Sequence, residues 1–324
     1  MIIVTGAAGF IGSNLVYALN KRHEDNILIV DDLTDGNKIK NLNALRFYDY
    51  QDQETFINKI EKRNIRRYSD KIQAVFHIGA CSDTMEYNGR YMMENNYEYS
   101  KKLLNFCQEE EIPFIYASSA SVYGNGDNGF KESEECEKPL NVYAFSKLQF
   151  DRYVSRILPQ STSQIVGLRY FNVFGPQENH KGRMASIVYQ LYNQLGKDKV
   201  LKLFQGVDCF ENGEQKRDFI YVKDVVRVNL HFFDNKEISG IFNCGTGEAN
   251  TFNAVAQSII DTKGYGFIEY IPFPETLRGK YQNYTQADTK NLFSLGEYDG
   301  SFYTLKEAIA DYIYYLDKNE GYLI

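Results

Sequence analysis

The chain has 324 residues, 43% of them apolar, and a formal charge of −7, enough length for one large or two interlocked domains and enough apolar content for a proper core. The acidic balance argues against a nucleic-acid partner, which needs an excess of Lys and Arg. Five scattered cysteines (Cys81, Cys107, Cys136, Cys209, Cys244) make neither a CxxC pair nor a disulfide framework, and there is no long apolar run or charged leader, so a cytoplasmic protein without disulfide, metal, membrane span or signal peptide is expected.

In chain order, apolar runs at 2–4, 27–30, 74–78 and 114–117 fit buried parallel strands, and helical patterns stand at 11–20, 96–110 and 142–158. This alternation predicts an α/β fold, a doubly wound parallel sheet of Rossmann type. Beyond residue 171 come Gly, Asn and Pro turns, a helix near 184–195, strands near 201–204 and 268–272, and an amphipathic helix near 305–316, the material of a smaller α/β substrate-binding domain. The stretches RDFIYVKDVVRVNLHFF and GIFNCGTG read as a further helix and strand of the first domain. The expected division is therefore 1–170 with 218–247 for the dinucleotide-binding domain and 171–217 with 248–324 for the substrate domain. No internal repeat or low-complexity tract interrupts the pattern.

The opening MIIVTGAAGFIGSN sets Gly6, Gly9 and Gly12 at three-residue intervals between a strand and a helix. Glycine costs regular structure about 0.5–1 kcal/mol relative to alanine, so three at such a junction point to backbone that must approach a phosphate. In a dinucleotide fold they make the tight turn, admit the pyrophosphate and let the helix pack on the sheet, with the pyrophosphate on the helix N-terminus. Asp31, at the end of the second strand, is placed to accept from the adenosine ribose. Tyr143 and Lys147, four apart on a helix, share a face, so the ammonium is expected to pull the phenol below its usual pKa near 10. Ser119 would hydrogen-bond the substrate oxygen whose proton Tyr143 exchanges, help typically worth about 10²–10⁴ in rate.

The G-x-x-G-x-x-G spacing, YASSASVYG and YAFSK together resemble the extended, sugar-nucleotide-modifying branch of the short-chain dehydrogenase/reductase superfamily. Dehydratases of that branch carry Asp-Glu after the catalytic Ser or Thr, whereas this chain has Ala120 and Ser121, leaving epimerisation or simple redox. The segments RYFNVFGPQENHKGRMAS, GACS, EIPFIYASSA, PLNVYAFSK and YIPFPETLRGKYQNYTQAD resemble the ADP-heptose 6-epimerase family over essentially the whole chain.

That resemblance implies an isomerase that inverts C6 of ADP-glycero-manno-heptose by transient oxidation with tightly held NADP, for lipopolysaccharide core heptose supply. It implies acid/base roles for Tyr143 and Lys181, although a lysine beside Gly182 would by itself read as a solvated charge; His180 is expected to be structural or to line the pocket. It places the cofactor against Gly6, Gly9, Phe10, Ile11, Gly12, Asp31, Asp32, Lys38, Gly79, Ala80, Cys81, Ser82, Asn95, Tyr143 and Lys147. It places the sugar nucleotide against Ser119, Asn172, Lys181, Arg183, Phe204, Arg217 and Tyr281, with Lys280 beside it. Asp31 and Asp32 favour NAD and Lys38 favours NADP, so NADP preference with some NAD use is expected. A homo-oligomer, a pentamer, is implied as well. Ile78, Asp83, Met85 and a longer loop at 209–215 depart from the family pattern. The competing readings are another nucleotide-sugar epimerase or dehydrogenase, and a non-catalytic dinucleotide-binding sensor.

Overall fold

The computed structural model describes residues 1–64, 72–207, 209–275 and 282–324. Seven parallel strands form the main sheet: β1 (Ile2–Thr5), β2 (Ile27–Asp31), β3 (Asp49–Asp52), β4 (Ala74–His77), β5 (Phe114–Ser119), β6 (Ile165–Tyr170) and β11 (Gly240–Cys244), in the order β3-β2-β1-β4-β5-β6-β11. This is the Rossmann-type α/β fold expected. Parallel strands buried on both faces need continuous apolar sequence, and β1, IIVT, is buried at every position. Register carries this across the sheet: Ile3, Leu28, Val75, Phe114 and Ile165 point into one apolar cluster, and Val4, Ile29, Phe76, Ile115 and Val166 into the other.

Strand order reverses between β1 and β4, opening a crevice at their carboxyl ends. Helix α1 (Phe10–Lys21) follows β1, and α2 (Gln53–Glu61) follows β3. The helix expected at 96–110 begins earlier, as α3 (Gly89–Met92), passes through a π turn at Met93–Glu98, and continues as α4 (Tyr99–Glu109). Next come α5 (Val142–Ile157), then α6 (Ile187–Asp198), α7 (Val222–Asp234), α8 (Phe252–Lys263), α9 (Lys290–Ser294) and α10 (Leu305–Asn319). Three two-stranded sheets accompany them: β7 (Asn172–Phe174) with β10 (Phe219–Tyr221), β9 (Lys216–Arg217) with β12 (Asn250–Thr251), and β8 (Val200–Phe204) with β13 (Phe267–Ile271). A third core forms here, around Phe174, Leu191, Leu203, Val255, Ile309 and Tyr312.

Helix ends differ with their duty. Thr304 and Glu307 make a reciprocal capping box at the start of α10. Gly9 caps α1 with no side-chain hydrogen bond, and no acid sits in its first turn, so its leading N–H groups stay open to the crevice. The last residues return to this region: Gln177 N donates to Gly321 O at 2.8 Å, Asn179 Nδ2 to Glu320 O at 2.6 Å, and Tyr17 Oη to Ile324 O at 2.8 Å.

Candidate active site

The crevice is a cavity of about 720 Å³, a size suited to a cofactor or small substrate. Gly6, Gly9, Phe10, Ile11 and Gly12 line it, as do Asp31, Asp32 and Lys38, and Gly79, Ala80, Cys81, Ser82 and Asn95. Ser119, Tyr143, Lys147, Asn172, His180 and Lys181 line the same cavity.

The glycine loop is closed as tightly as glycine allows. A β-carbon on Gly12 would lie 2.1 Å from Gly6 O, and one on Gly6 would lie 2.6 Å from the Gly79 backbone. Beside this loop, Asp31 accepts from Ala8 N at 2.7 Å and from Lys38 Nζ at 2.8 Å. Lys38 also donates to Asp32 O at 2.8 Å, while Thr34 holds the Asp32 carboxyl below the usual carboxylate range. An uncapped helix start, backbone that only glycine permits and an acid at the end of β2 together fit a nicotinamide dinucleotide.

The Cys81 loop is held by Asn96, buried on the π turn. Cys81 N donates to Asn96 Oδ1 at 2.8 Å, and Asn96 Nδ2 returns to Cys81 O at 3.0 Å and reaches Ser146 Oγ on α5 at 3.1 Å. Beneath it, Gly79 N donates to Thr5 Oγ1 at 3.2 Å, and His77 bridges Thr5 (Nδ1, 2.7 Å) and Ser100 (Nε2, 2.8 Å). Ser100 gives its proton to Asn96 O at 2.6 Å, so it accepts from His77 Nε2–H, and His77 Nδ1 accepts from Thr5. Burial, with the Lys147 charge adding to it, lowers the His77 pKa to about 3 and keeps the ring neutral.

Tyr143 shows an outcome opposite to the sequence expectation. Burial pushes its phenol above the usual tyrosine range, and the hydrogen bond with Ser119 only partly offsets this. Lys147 does not rescue it, because its Nζ donates to Ala117 O at 2.8 Å. Desolvation lowers Lys147 to about 8, against the Asp151 carboxylate one turn along, which raises it. Asp151 in turn accepts from Tyr116 Oη (2.9 Å), Ser118 Oγ (2.8 Å) and Arg169 Nε (2.8 Å), all buried.

Lys181 is not a solvated surface charge. Its Nζ sits 5.1 Å from the centre of the Phe10 ring, and burial lowers its pKa while Glu178 raises it. Glu178 is fully buried, accepts from Ser186 Oγ at 2.7 Å and Gly175 N at 3.2 Å, and so shapes the loop that carries the lysine.

Three expected substrate residues stand off the cavity wall. Arg183 is exposed and paired at 2.9 Å with Asp83, which does line the cavity. Phe204 packs on Phe273, with ring centres 5.4 Å apart, and Arg217 is buried with its guanidinium 5.8 Å from the Phe252 ring centre. Tyr281 and Lys280 lie outside the described residues. Residues 209–215 do not line the cavity where described, Ile78 does, and Met85 is exposed. The sequence reading missed Thr285, whose hydroxyl donates to Asn172 Oδ1 at 3.1 Å, and missed His77, Asn96 and Glu178. His77, between Phe76 and Ile78, is a polar residue set in an apolar strand, a local signal; Asn96, Glu178 and Thr285 stand beside other polar residues and give none.

The NAD dependent epimerase/dehydratase family matches residues 2–245. An ADP-L-glycero-D-manno-heptose-6-epimerase from Brachyspira hyodysenteriae is 52% identical over 326 residues, covering 100% of both chains. The crystal structure of the Helicobacter pylori enzyme of that name is 32% identical, with TM-score 0.81, over 98% of this chain and 96% of that one. A UDP-glucuronic acid 4-epimerase from Bacillus cereus, solved with UDP-glucuronic acid and NAD, is 26% identical, with TM-score 0.77, over 97% and 99% of the two chains.

Proposed function

The chain belongs to the NAD dependent epimerase/dehydratase family, and from that premise we propose that it interconverts ADP-D-glycero-β-D-manno-heptose and ADP-L-glycero-β-D-manno-heptose at C6. A nicotinamide dinucleotide held by the glycine loop, Asp31 and Lys38 would supply the acceptor and donor of the C6 hydride. The chain's own groups handle protons and orientation. Tyr143, with Ser119 hydrogen-bonded to it, moves the proton of the C6 oxygen in one orientation of the sugar. Lys181 moves it in the other, after the 6-ketone has turned within the cavity. Lys147 supports the ionised phenol once its ammonium is free to face it, and Asn172, held by Thr285, orients the sugar nucleotide. The observation that carries this reading is that Tyr143 and a desolvated Lys181 line the same cavity as the glycine loop.

NADP is the preferred cofactor in this reading, because Lys38 neutralises Asp31 and offers a cation to a 2′-phosphate. The protein works in the cytoplasm as a homo-oligomer, a pentamer, with the substrate portion formed by 171–217 and 248–324. Among the described residues no helix is long and apolar enough to cross a membrane. The test is NMR of the purified protein with either ADP-heptose epimer and no added cofactor. Interconversion is expected. No conversion of either, alongside turnover of a UDP- or GDP-sugar, would overturn the substrate assignment.

A further inference from the structure

Lys181 sits on a 3-10 segment, Asn179–Met184, whose backbone is kinked at Gly182 (φ 51°, ψ −121°). Such a segment has few hydrogen bonds of its own, so its position relative to the cofactor cradle must be set from outside. The C-terminal residues hold it on one side, and on the side of the cradle a contact is made by a side chain that does not line the cavity. Asn41, 1% exposed, stands on the short 3-10 helix Gly36–Leu42 that also carries Lys38.

Asn41 Nδ2 donates to Ala8 O at 2.9 Å, within the glycine loop, and reaches Gln177 O at 3.2 Å and His180 Nδ1 at 3.1 Å. Gln177 Nε2 answers with a bond to Asn41 O at 2.9 Å. Two carbonyl oxygens face the two N–H groups of the amide while Asn41 Oδ1 is buried with no partner among the described residues, so the orientation of the amide is dictated by its donors. Ala8, the residue it grips, gives its own N–H to Asp31, and Asp31 holds Lys38. The glycine loop and the segment leading to Lys181 are thereby joined through Asn41, with Asn14 bridging Phe10 O and Pro176 O beside it. His180, the residue before Lys181, is kept neutral by burial, which lowers its pKa to about 4, and its Nδ1 faces the Asn41 amide.

We propose that Asn41 is a positioning residue that fixes the Lys181 loop against the glycine loop and so sets where the Lys181 side chain meets the substrate. This rests on the two-group proton-transfer reading above. A residue that only stabilised the fold would depress every step alike. A residue acting through Lys181 depresses only the half-reaction that Lys181 serves, and has nothing left to depress once Lys181 is gone.

The experiment measures single-turnover reduction of the bound nicotinamide, started separately from the D-glycero and L-glycero substrates, in the parent, Asn41→Leu, Lys181→Met and the double variant. Asn41→Leu keeps the approximate volume and removes the donors. It is expected to slow the half-reaction that Lys181→Met slows by on the order of ten- to a hundredfold, as displaced catalytic groups do. The opposite half-reaction should stay within about twofold, and the double variant should be no slower than Lys181→Met. Equal slowing from both epimers, no slowing, or full additivity in the double variant would overturn the proposal. Lys181→Met without preference between the epimers would instead remove the two-group reading and the proposal with it, an outcome visible in that variant alone. Should Asn41→Leu not fold, Asn41→Ser retains one donor and is expected to show a smaller loss with the same bias; loss without bias would again overturn the proposal.

Discussion

The ammonium of Lys147 and the carbonyl oxygen of Ala117 are 2.8 Å apart, so the cation four residues after Tyr143 is spent on the end of β5 and not on the phenol. With Lys147 lowered to about 8 and Tyr143 raised, the charged lysine that would stabilise a phenolate disappears above pH 8. Epimerisation is therefore expected to fall on the alkaline side of about 8. Asp151 raises Lys147, so Asp151→Asn should carry that falling limb to lower pH, by up to roughly one unit. The pH profile of kcat/KM measures it, and an unmoved limb would refute the assignment of Lys147.

Gly12 and Gly196 make a matched pair for the glycine argument. Both lie in helices, but alanine at Gly12 drives a methyl into Gly6 O, whereas alanine at Gly196 meets nothing within 4 Å. Gly12→Ala should purify with little or no bound nicotinamide and a lower melting temperature. Gly196→Ala should keep its cofactor and gain about 0.5–1 kcal/mol. Cofactor released on denaturation, together with thermal melts, separates the two.

Removing the Lys38 ammonium leaves Asp31 with only the Ala8 N–H and no neutralising charge beside the adenosine end. Lys38→Ala is expected to shift the NADP to NAD affinity ratio toward NAD on the order of tenfold, the scale of one charge-assisted contact. Titration of cofactor-stripped protein with both dinucleotides gives the ratio. An unchanged ratio would assign selectivity elsewhere.

Acid should weaken the fold through two histidines. His77 is lowered to about 3 and His180 to about 4, whereas in the unfolded chain each protonates near 6.5. As pH falls below about 6.5 the unfolded chain takes up protons that the native state refuses, so stability declines, at most by about 1.4 kcal/mol per pH unit for each group. His77→Gln should make the decline between pH 6.5 and 5 shallower in urea denaturation. A slope identical to the parent would show that His77 does not contribute.

Legibility in the sequence followed the range of the interaction. The apolar strands and the glycine loop are local patterns, and the main sheet follows from them. Strand β3, DYQD, sits at the sheet edge with no buried residue, so it carried no apolar signal. The π turn at Met93–Glu98 arises where Asn96 must reach Cys81, a tertiary demand hidden from helical periodicity. Spacing placed Tyr143 and Lys147 on one helix, but their pKa directions depend on how deeply the cavity buries them and on Ala117, thirty residues away in the chain. Asn41 and Glu178 act only through residues brought together by folding.

The strap of residues 320–324 across the Lys181 loop bears on how the protein comes into being. Chains emerge from the ribosome N-terminus first, so the glycine loop and strands β1 to β6 are available long before Gly321 arrives to receive Gln177 N–H. Synthesis thus places the residues of the glycine loop and of the Lys181 segment well ahead of the strap that anchors that segment.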